Sequence, residues 1–331
     1  MNYKESKQIL EEIKKANKIL LNCHRGPDPD SIGSALATKY VLENMGKTVG
    51  IICPSEGLYD DASYLKDYEL IQKNIDFRKF NFNVYDLFIT MDSSSWDMVS
   101  SDKDIPLASI PIIVIDHHKT NKEFGLINLV DKSVSSVGEM LFLLFQDWEI
   151  ELNKNIATAL LTAIIGDTGI FKYPNTTEKT FDAAYQLIKD GADKNLIIAN
   201  IYRNLDLKLI QFWGEALNRV KLDKKYGFVY SAVPFEVYEK LNKPANAKES
   251  SVDLFAQTTK GTEFGFMAVE TEKGKLSISF RARTDFDTSL IATALGGGGH
   301  AAASGAKIEG LPFNKAVKKV LRVARKYAKQ K

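Results

Sequence analysis

The feature that most narrows the fold is an alternation in the first half of the chain. Short apolar runs at 19–21, 48–53, 87–91 and 112–115 are interleaved with helical periodicity at about 34–45 and 138–145. Apolar runs this short read as strands, and strands alternating with helices predict an α/β fold with a parallel sheet covered by helices. In open sheets of this kind, ligands bind beyond the carboxyl ends of the strands. Polar motifs stand at those ends: 24–30 follows the first run, Asp92 follows ITM, and 116–118 follows IIVI. Residues far apart in sequence are therefore expected to converge on one crevice.

At 331 residues the chain exceeds one ordinary core and reads as two domains. A first domain over 1–190 precedes a helical linker over 191–224. A second domain over 225–331 holds strands at 228–233, 264–270 and 276–281, a glycine cluster and a basic helix. The 44% hydrophobic and 26% charged content is that of a globular protein. No apolar run approaches the roughly 18 residues of a membrane span, and the N-terminus is a charged amphipathic pattern without a signal peptide's apolar segment. The expectation is a cytoplasmic protein with no membrane partner. Cys23 and Cys53 each end an apolar run, which fits buried, reduced thiols.

Charge is unevenly spread. From 315 to 331 there are eight Lys/Arg and no acids, and subtracting these from the chain's +2 leaves −6 for the rest. That balance argues against a long basic channel for nucleic acid and hence against long duplex partners. The basic helix itself reads either as a solvated face or as a holder of polyanions.

All four histidines fall in short acidic or glycine-rich motifs: His24 in HRGPDPDSIGS, His117 and His118 in IDHHKTN, His300 in GGGGHAAASG. His24, Asp28 and Asp30 offer a mixed nitrogen and oxygen set that suits Mn²⁺ or another borderline divalent ion better than a thiolate zinc site. The two aspartates also suit turns around Pro27 and Pro29. Ser31, Gly33 and Ser34 lead into a helix whose N-terminus either receives a phosphate oxygen or is simply capped. Asp92 in MDSSS and Asp167 in IIGDTG are each compatible with a cap or a turn. Asp116 beside two histidines is a poor packing solution and a better site. So many carboxylates in one crevice repel one another unless cations neutralise them. Ser93, Ser94 and Ser95 lack a spare histidine to activate a nucleophile.

These motifs, in this order, resemble the DHH/DHHA1 phosphoesterases, and in particular their stand-alone members of the oligoribonuclease (nanoRNase)/pAp phosphatase type. The likeness runs over essentially the whole chain. It implies a two-lobed α/β protein: an N-terminal parallel-sheet, Rossmann-like DHH domain and a smaller C-terminal α/β DHHA1 domain joined by a helical linker. By position, His24, Asp28 and Asp92 would bind one metal, and Asp30, Asp92, His117 and Asp167 a second. Asp116 would support His117, and His118 would face the substrate phosphate, so that Asp92, Asp116 and His118 form the catalytic group. In the second lobe, Arg281, Arg283, Gly297, Gly298, Gly299 and His300 would hold the nucleotide. The family often has Ser where this chain has Ala282.

The resemblance implies two divalent cations, Mn²⁺ first with Mg²⁺ or Co²⁺ as substitutes. The expected substrates are short single-stranded RNA, dinucleotides or pAp, cut to 5′-mononucleotides or relieved of a 3′-phosphate. A homodimer is compatible with it. Within enzymes the alternative is a phosphodiesterase for cyclic or linear dinucleotides. Outside enzymes it is a catalytically silent nucleotide-binding protein.

Overall fold

A computed structural model describes residues 2–58 and 60–328. Two compact units divide the chain, Met1–Asn204 and Leu205–Lys331. The first contains α1 (Ser6–Lys15), β1 (Lys18–Asn22), α2 (Pro29–Asn44), β2 (Thr48–Ile52), β3 (Leu87–Met91) and α3 (Trp96–Ser100). It continues with β4 (Ile112–Asp116), β5 (Ile127–Val130), α4 (Val137–Asp147), α5 (Lys154–Asp167), α6 (Glu178–Lys189) and α7 (Lys194–Tyr202).

The five strands form one all-parallel sheet in the order β2-β1-β3-β4-β5. Its three central strands, β1, β3 and β4, are apolar runs because both faces are covered. Ile19, Leu21, Ile89 and Ile113 pack with α1, α2, α4 and α5, whereas Leu20, Phe88 and Val114 join Phe77 and Val99 on the other side. Each such side chain contributes on the order of 1.5–3 kcal/mol by leaving water. The chain direction across the sheet reverses between β1 and β3, and their following loops diverge there to open a crevice. His24 follows β1 and Asp92 follows β3, so the order of the strands places both at that opening.

Two glycines draw the helices behind the crevice together. A Cβ on Gly33 of α2 would lie 2.4 Å from the Ala159 carbonyl oxygen of α5, and one on Gly138 of α4 would lie 2.5 Å from Ala163 Cβ. Only a missing side chain permits this approach. It brings the first turn of α2, the N-terminus of α4 and the C-terminal end of α5 to one place.

The second unit contains α8 (Leu207–Asn218), β6 (Lys221–Asp223), β7 (Phe228–Val233), α9 (Phe235–Lys240), α10 (Ala247–Phe255) and β8 (Phe264–Glu272). Then come β9 (Lys275–Ala282), α11 (Ser289–Ala294), β10 (Gly298–Gly299), β11 (Ala303–Glu309) and α12 (Phe313–Ala328). Its mixed sheet has the order β10-β11-β9-β8-β7-β6, with only β7 and β8 parallel. One face, bearing Phe228, Phe266, Ile278 and Phe280, packs under α11 and α12. The other, bearing Val229, Val233, Met267 and Val269, packs under α8 and α10.

The segment 191–224 is not one helix. It holds α7 in the first unit, a break at 203–206, and α8 in the second. Lys329 and Lys331 of the basic run lie outside the described residues. Among the described residues, no helix is long and apolar enough to cross a membrane.

Candidate metal centre

The loop after β1 is built to aim one imidazole nitrogen. The His24 backbone N–H donates to Ser31 Oγ at 3.1 Å, and its ring Nδ1–H donates to the Arg25 carbonyl at 3.0 Å. That bond leaves Nε2 facing Asp92 Oδ2 at 3.2 Å and Asp28 Oδ1 at 3.8 Å. Asp28 is the N-cap of α2, its Oδ1 accepting the Ser31 N–H at 3.0 Å. Asp30, in the first turn of the same helix, is 1% exposed. Its carboxylate accepts the N–H groups of Val137 at 2.8 Å and Gly138 at 3.0 Å, and the Ser34 hydroxyl at 3.1 Å. A buried carboxylate at the N-terminus of α4 is favoured by the helix dipole and by those unsatisfied donors.

Asp92 is the hub. Its backbone is left-handed, with φ 52°, a conformation that Asp tolerates better than most residues. This turn points the carboxylate back over the sheet end. Oδ1 lies 3.6 Å from His117 Nε2 and 3.6 Å from His118 Nδ1, while Oδ2 meets His24. His117 Nε2 also stands 3.4 Å from Asp167 Oδ2 and 4.0 Å from Asp30 Oδ2.

Three sets of possible ligand atoms, each within 4.8 Å of one another, result: His24, Asp28 and Asp92; Asp30, His117 and Asp167; and Asp92, His117 and His118. The first two contain the residues expected for two separate metals, with Asp92 between them.

The electrostatics fit cations. Burial opposes charge on His24, yet its bonds to Asp28 and Asp92 outweigh that and raise it to about 11. Burial likewise opposes charge on His117, while Asp92, Asp30 and Asp167 raise it to about 10. Asp92 is held below the usual carboxylate range, because His117 and His24 overcome its burial. Asp30 is pushed well up by burial and by Asp92 and Asp167. Asp167 is raised to about 7 by burial and by the charges of Asp92 and Asp28, against the pull of His117. Carboxylate oxygens and imidazole nitrogens thus face one another with mutually shifted proton affinities. A hard or borderline divalent cation can compete with protons at such a mixed donor set.

One expectation needs correction. Asp116 does not support His117: its Oδ1 takes the His118 Nδ1–H at 2.8 Å, and its Oδ2 takes the Asn121 amide at 2.6 Å. Successive residues at a strand end point to opposite sides, so the acid reaches the second histidine rather than the first. Asp116 outweighs burial and raises the pKa of His118, whose side chain is 46% exposed. Ser31, Gly33 and Ser34 are buried and used internally, and the helix they open is capped by Asp28. They hold the loop and the helix contact. Ser93 is also buried, its hydroxyl donating to the Met91 carbonyl at 3.0 Å.

Sequence reasoning gave no role to Asn121 or Glu139. Asn121 also donates to the Ser93 carbonyl at 3.2 Å, tying the loops after β3 and β4 together. Glu139, 1% exposed, accepts the Ser135 N–H at 3.1 Å and the Thr180 hydroxyl at 2.8 Å, fixing the entry to α4. The pattern Ser136-Val-Gly-Glu139 is a helix-start signature and marked that entry in advance. No spacing rule singles out Asn121.

In the second unit, Arg281 lies on the face of β9 under α10, its Nε donating to Asp253 at 2.8 Å. Arg283 lies just past the strand and donates to the Thr262 carbonyl at 3.2 Å. The glycine cluster is not a free turn: Gly298 and Gly299 pair with Gly305 and Ser304 at the sheet edge. A Cβ on Gly297 would meet the Gly305 oxygen at 2.1 Å, so this approach requires glycine. His300 is exposed at the tip, its N–H donating to the Ala303 carbonyl at 2.9 Å.

The first unit is thus a doubly covered parallel sheet with a histidine–carboxylate, cation-type centre at its strand ends, joined in one chain to a mixed-sheet unit. Residues 18–164 match the DHH family, N-terminal domain, and residues 228–330 match the DHHA1 domain. The chain belongs to the DHH/DHHA1 family of phosphoesterases. It is 27% identical to the bifunctional oligoribonuclease and PAP phosphatase NrnA of Thermus thermophilus, over 98% of this chain and 94% of that one. The Bacillus subtilis protein of the same name is 26% identical over 91% and 92%. A crystal structure of an exopolyphosphatase-related protein from Bacteroides fragilis shares the fold, with a TM-score of 0.89 at 24% identity, covering 98% of this chain and 97% of that one.

Proposed function

We propose that this protein is a Mn²⁺-dependent phosphohydrolase of the cytoplasm. It would cut short linear oligoribonucleotides and dinucleotides to 5′-mononucleotides and also remove the 3′-phosphate of pAp. The observation that carries the reading is Asp92, one carboxylate reaching both His24 and His117 between two complete donor sets. The near full-length likeness to proteins named oligoribonuclease and PAP phosphatase supports the substrate class.

His24, Asp28 and Asp92 would hold one cation, and Asp30, Asp92, His117 and Asp167 the other. Bound there, two divalent cations lower the proton affinity of an attacking water and neutralise charge on the phosphoryl oxygens. The chain's own residues do the rest. Asp116 orients His118 through Nδ1 and favours its protonated form, which leaves Nε2–H to protonate the departing ribose oxygen. Buried Asp116, itself held by the Asn121 amide, keeps that imidazole from turning away. Arg281, Arg283, His300 and the backbone of 297–299 supply donors to the phosphates of the nucleotide.

The test is hydrolysis of pAp, pApA, RNA dinucleotides, longer RNA, cyclic di-AMP and pyrophosphate with Mn²⁺ or Mg²⁺. Turnover of dinucleotides and pAp is expected, strongest with Mn²⁺. No turnover of any member sinks the enzyme reading, and preference for the cyclic dinucleotide moves the assignment to second-messenger breakdown.

A further inference from the structure

The cation centre leaves one strongly charged surface unused. Lys315, Lys318, Lys319, Arg322, Arg325 and Lys326 of α12 are all exposed. Their spacings of three and four residues align them in one stripe, about 16 Å long at the helical rise. The opposite face of α12 is spent: Ala316, Val320 and Ala324 are buried with Phe280 and Ile308. Of the exposed residues of α12, all but Asn314 are cations.

An aromatic ring lies beside the stripe. Tyr226 has the Arg325 guanidinium 5.7 Å and the Lys225 ammonium 5.5 Å from its ring centre. Arg325 is steadied by Asp223 at 2.8 Å. The stripe is separate from Arg281, since α12 covers one face of the sheet and Arg281 points to α10 on the other.

We infer that α12 is a second nucleic-acid surface, which grips the phosphate backbone of a single-stranded RNA through residues that belong neither to the cation donors nor to the Arg281 face. Cations in a row beside an aromatic side chain are what sequence-tolerant single-strand binding uses. A bilayer is disfavoured, because a helix lying in a membrane inserts its apolar face and this one is already buried. Such a surface keeps the enzyme on longer RNA, where other nucleases release the short fragments it consumes.

The probe is a labelled 12-nucleotide 2′-O-methyl phosphorothioate RNA, which resists hydrolysis, read by anisotropy over a salt series. Lys318→Glu with Arg322→Glu should weaken binding roughly tenfold or more and lower the log–log salt slope by about 1.4, two phosphates' worth. Lys7→Glu with Lys189→Glu makes the same change of net charge on exposed positions of the first unit. It should alter binding less than about twofold. Dinucleotide hydrolysis should be unchanged in both variants. Equal loss in the two variants overturns the inference, as does equal competition by polyglutamate or preferential capture by phosphatidylserine vesicles. Failure of the parent protein to cut dinucleotides would instead remove the proposed activity and leave the RNA-binding result standing.

Discussion

Asp92 sits where the demands on one residue are greatest: left-handed backbone, 3% exposure and three imidazoles within 3.6 Å of one carboxylate. Asn tolerates the same backbone, so Asp92→Asn removes charge without disturbing the turn. Turnover should fall by more than the roughly 100-fold typical of a residue that only supports a ligand, and bound metal, measured by elemental analysis, should fall with it. Near-normal activity at full metal content would remove Asp92 from the shared position. His118 is more delicate, because its Nδ1 is 2.8 Å from Asp116 but also 3.6 Å from Asp92, so it qualifies as acid or as ligand. His118→Ala should cost about 10²–10⁴ in kcat with a ribose leaving group and far less with p-nitrophenolate, which departs unprotonated. A parallel loss of metal would make it a ligand instead. At this scale the sequence was largely legible, since histidine and aspartate at strand ends announce themselves by type. The pairing of Asp116 with His118 was not, because adjacent residues at a strand end share a motif while facing different sides.

The elements that carry these residues are held by contacts the motifs do not spell out. Asp30 is three residues before Gly33, and Asp167 is eight after Ala159, the residue whose carbonyl stands against Gly33. Gly33→Val should therefore force α2 and α5 apart, costing about 1–3 kcal/mol by overpacking and weakening metal binding together with stability. Gly214→Ala on exposed α8, where a Cβ meets nothing within 4 Å, is the contrast: it should stabilise by up to about 1 kcal/mol and leave metal binding alone. Thermal unfolding and metal titration of both variants check this; loss of stability with intact metal affinity in Gly33→Val would detach the helix contact from the site. Strands β1, β3 and β4 were legible because burial on both faces makes them apolar runs, while β2, exposed or half-buried over its first three residues, was marked by its closing Ile51 and Ile52. Strand β5 alternates buried and half-buried residues over only four positions, and β11 opens on small residues, so neither stands out from loop. The helical texture at 195–221 was real, but periodicity alone does not reveal the break that separates α7 from α8.

For the whole molecule, the decisive fact is that, among the described residues, every candidate metal donor group belongs to the first unit, between His24 and Asp167. Without cations that unit confines Asp30, Asp92 and Asp167 around His117, and burial together with the neighbouring carboxylates pushes Asp30 and Asp167 up. Cations bound only to the folded arrangement stabilise it by mass action, about 2.7 kcal/mol for one site at a hundredfold excess over Kd. Chelation should lower the melting temperature, and Mn²⁺ should restore it. Hydrogen exchange should locate the effect: added Mn²⁺ should slow exchange at the N-termini of α2 and α4, whose N–H groups hold the ligand loop and Asp30, and at the end of α5. Strands β7 to β9 contain no donor and should exchange at unchanged rates. Protection appearing first in that second sheet would mean that the cations bind elsewhere, and the assignment of His24, Asp92 and His117 would fall with it.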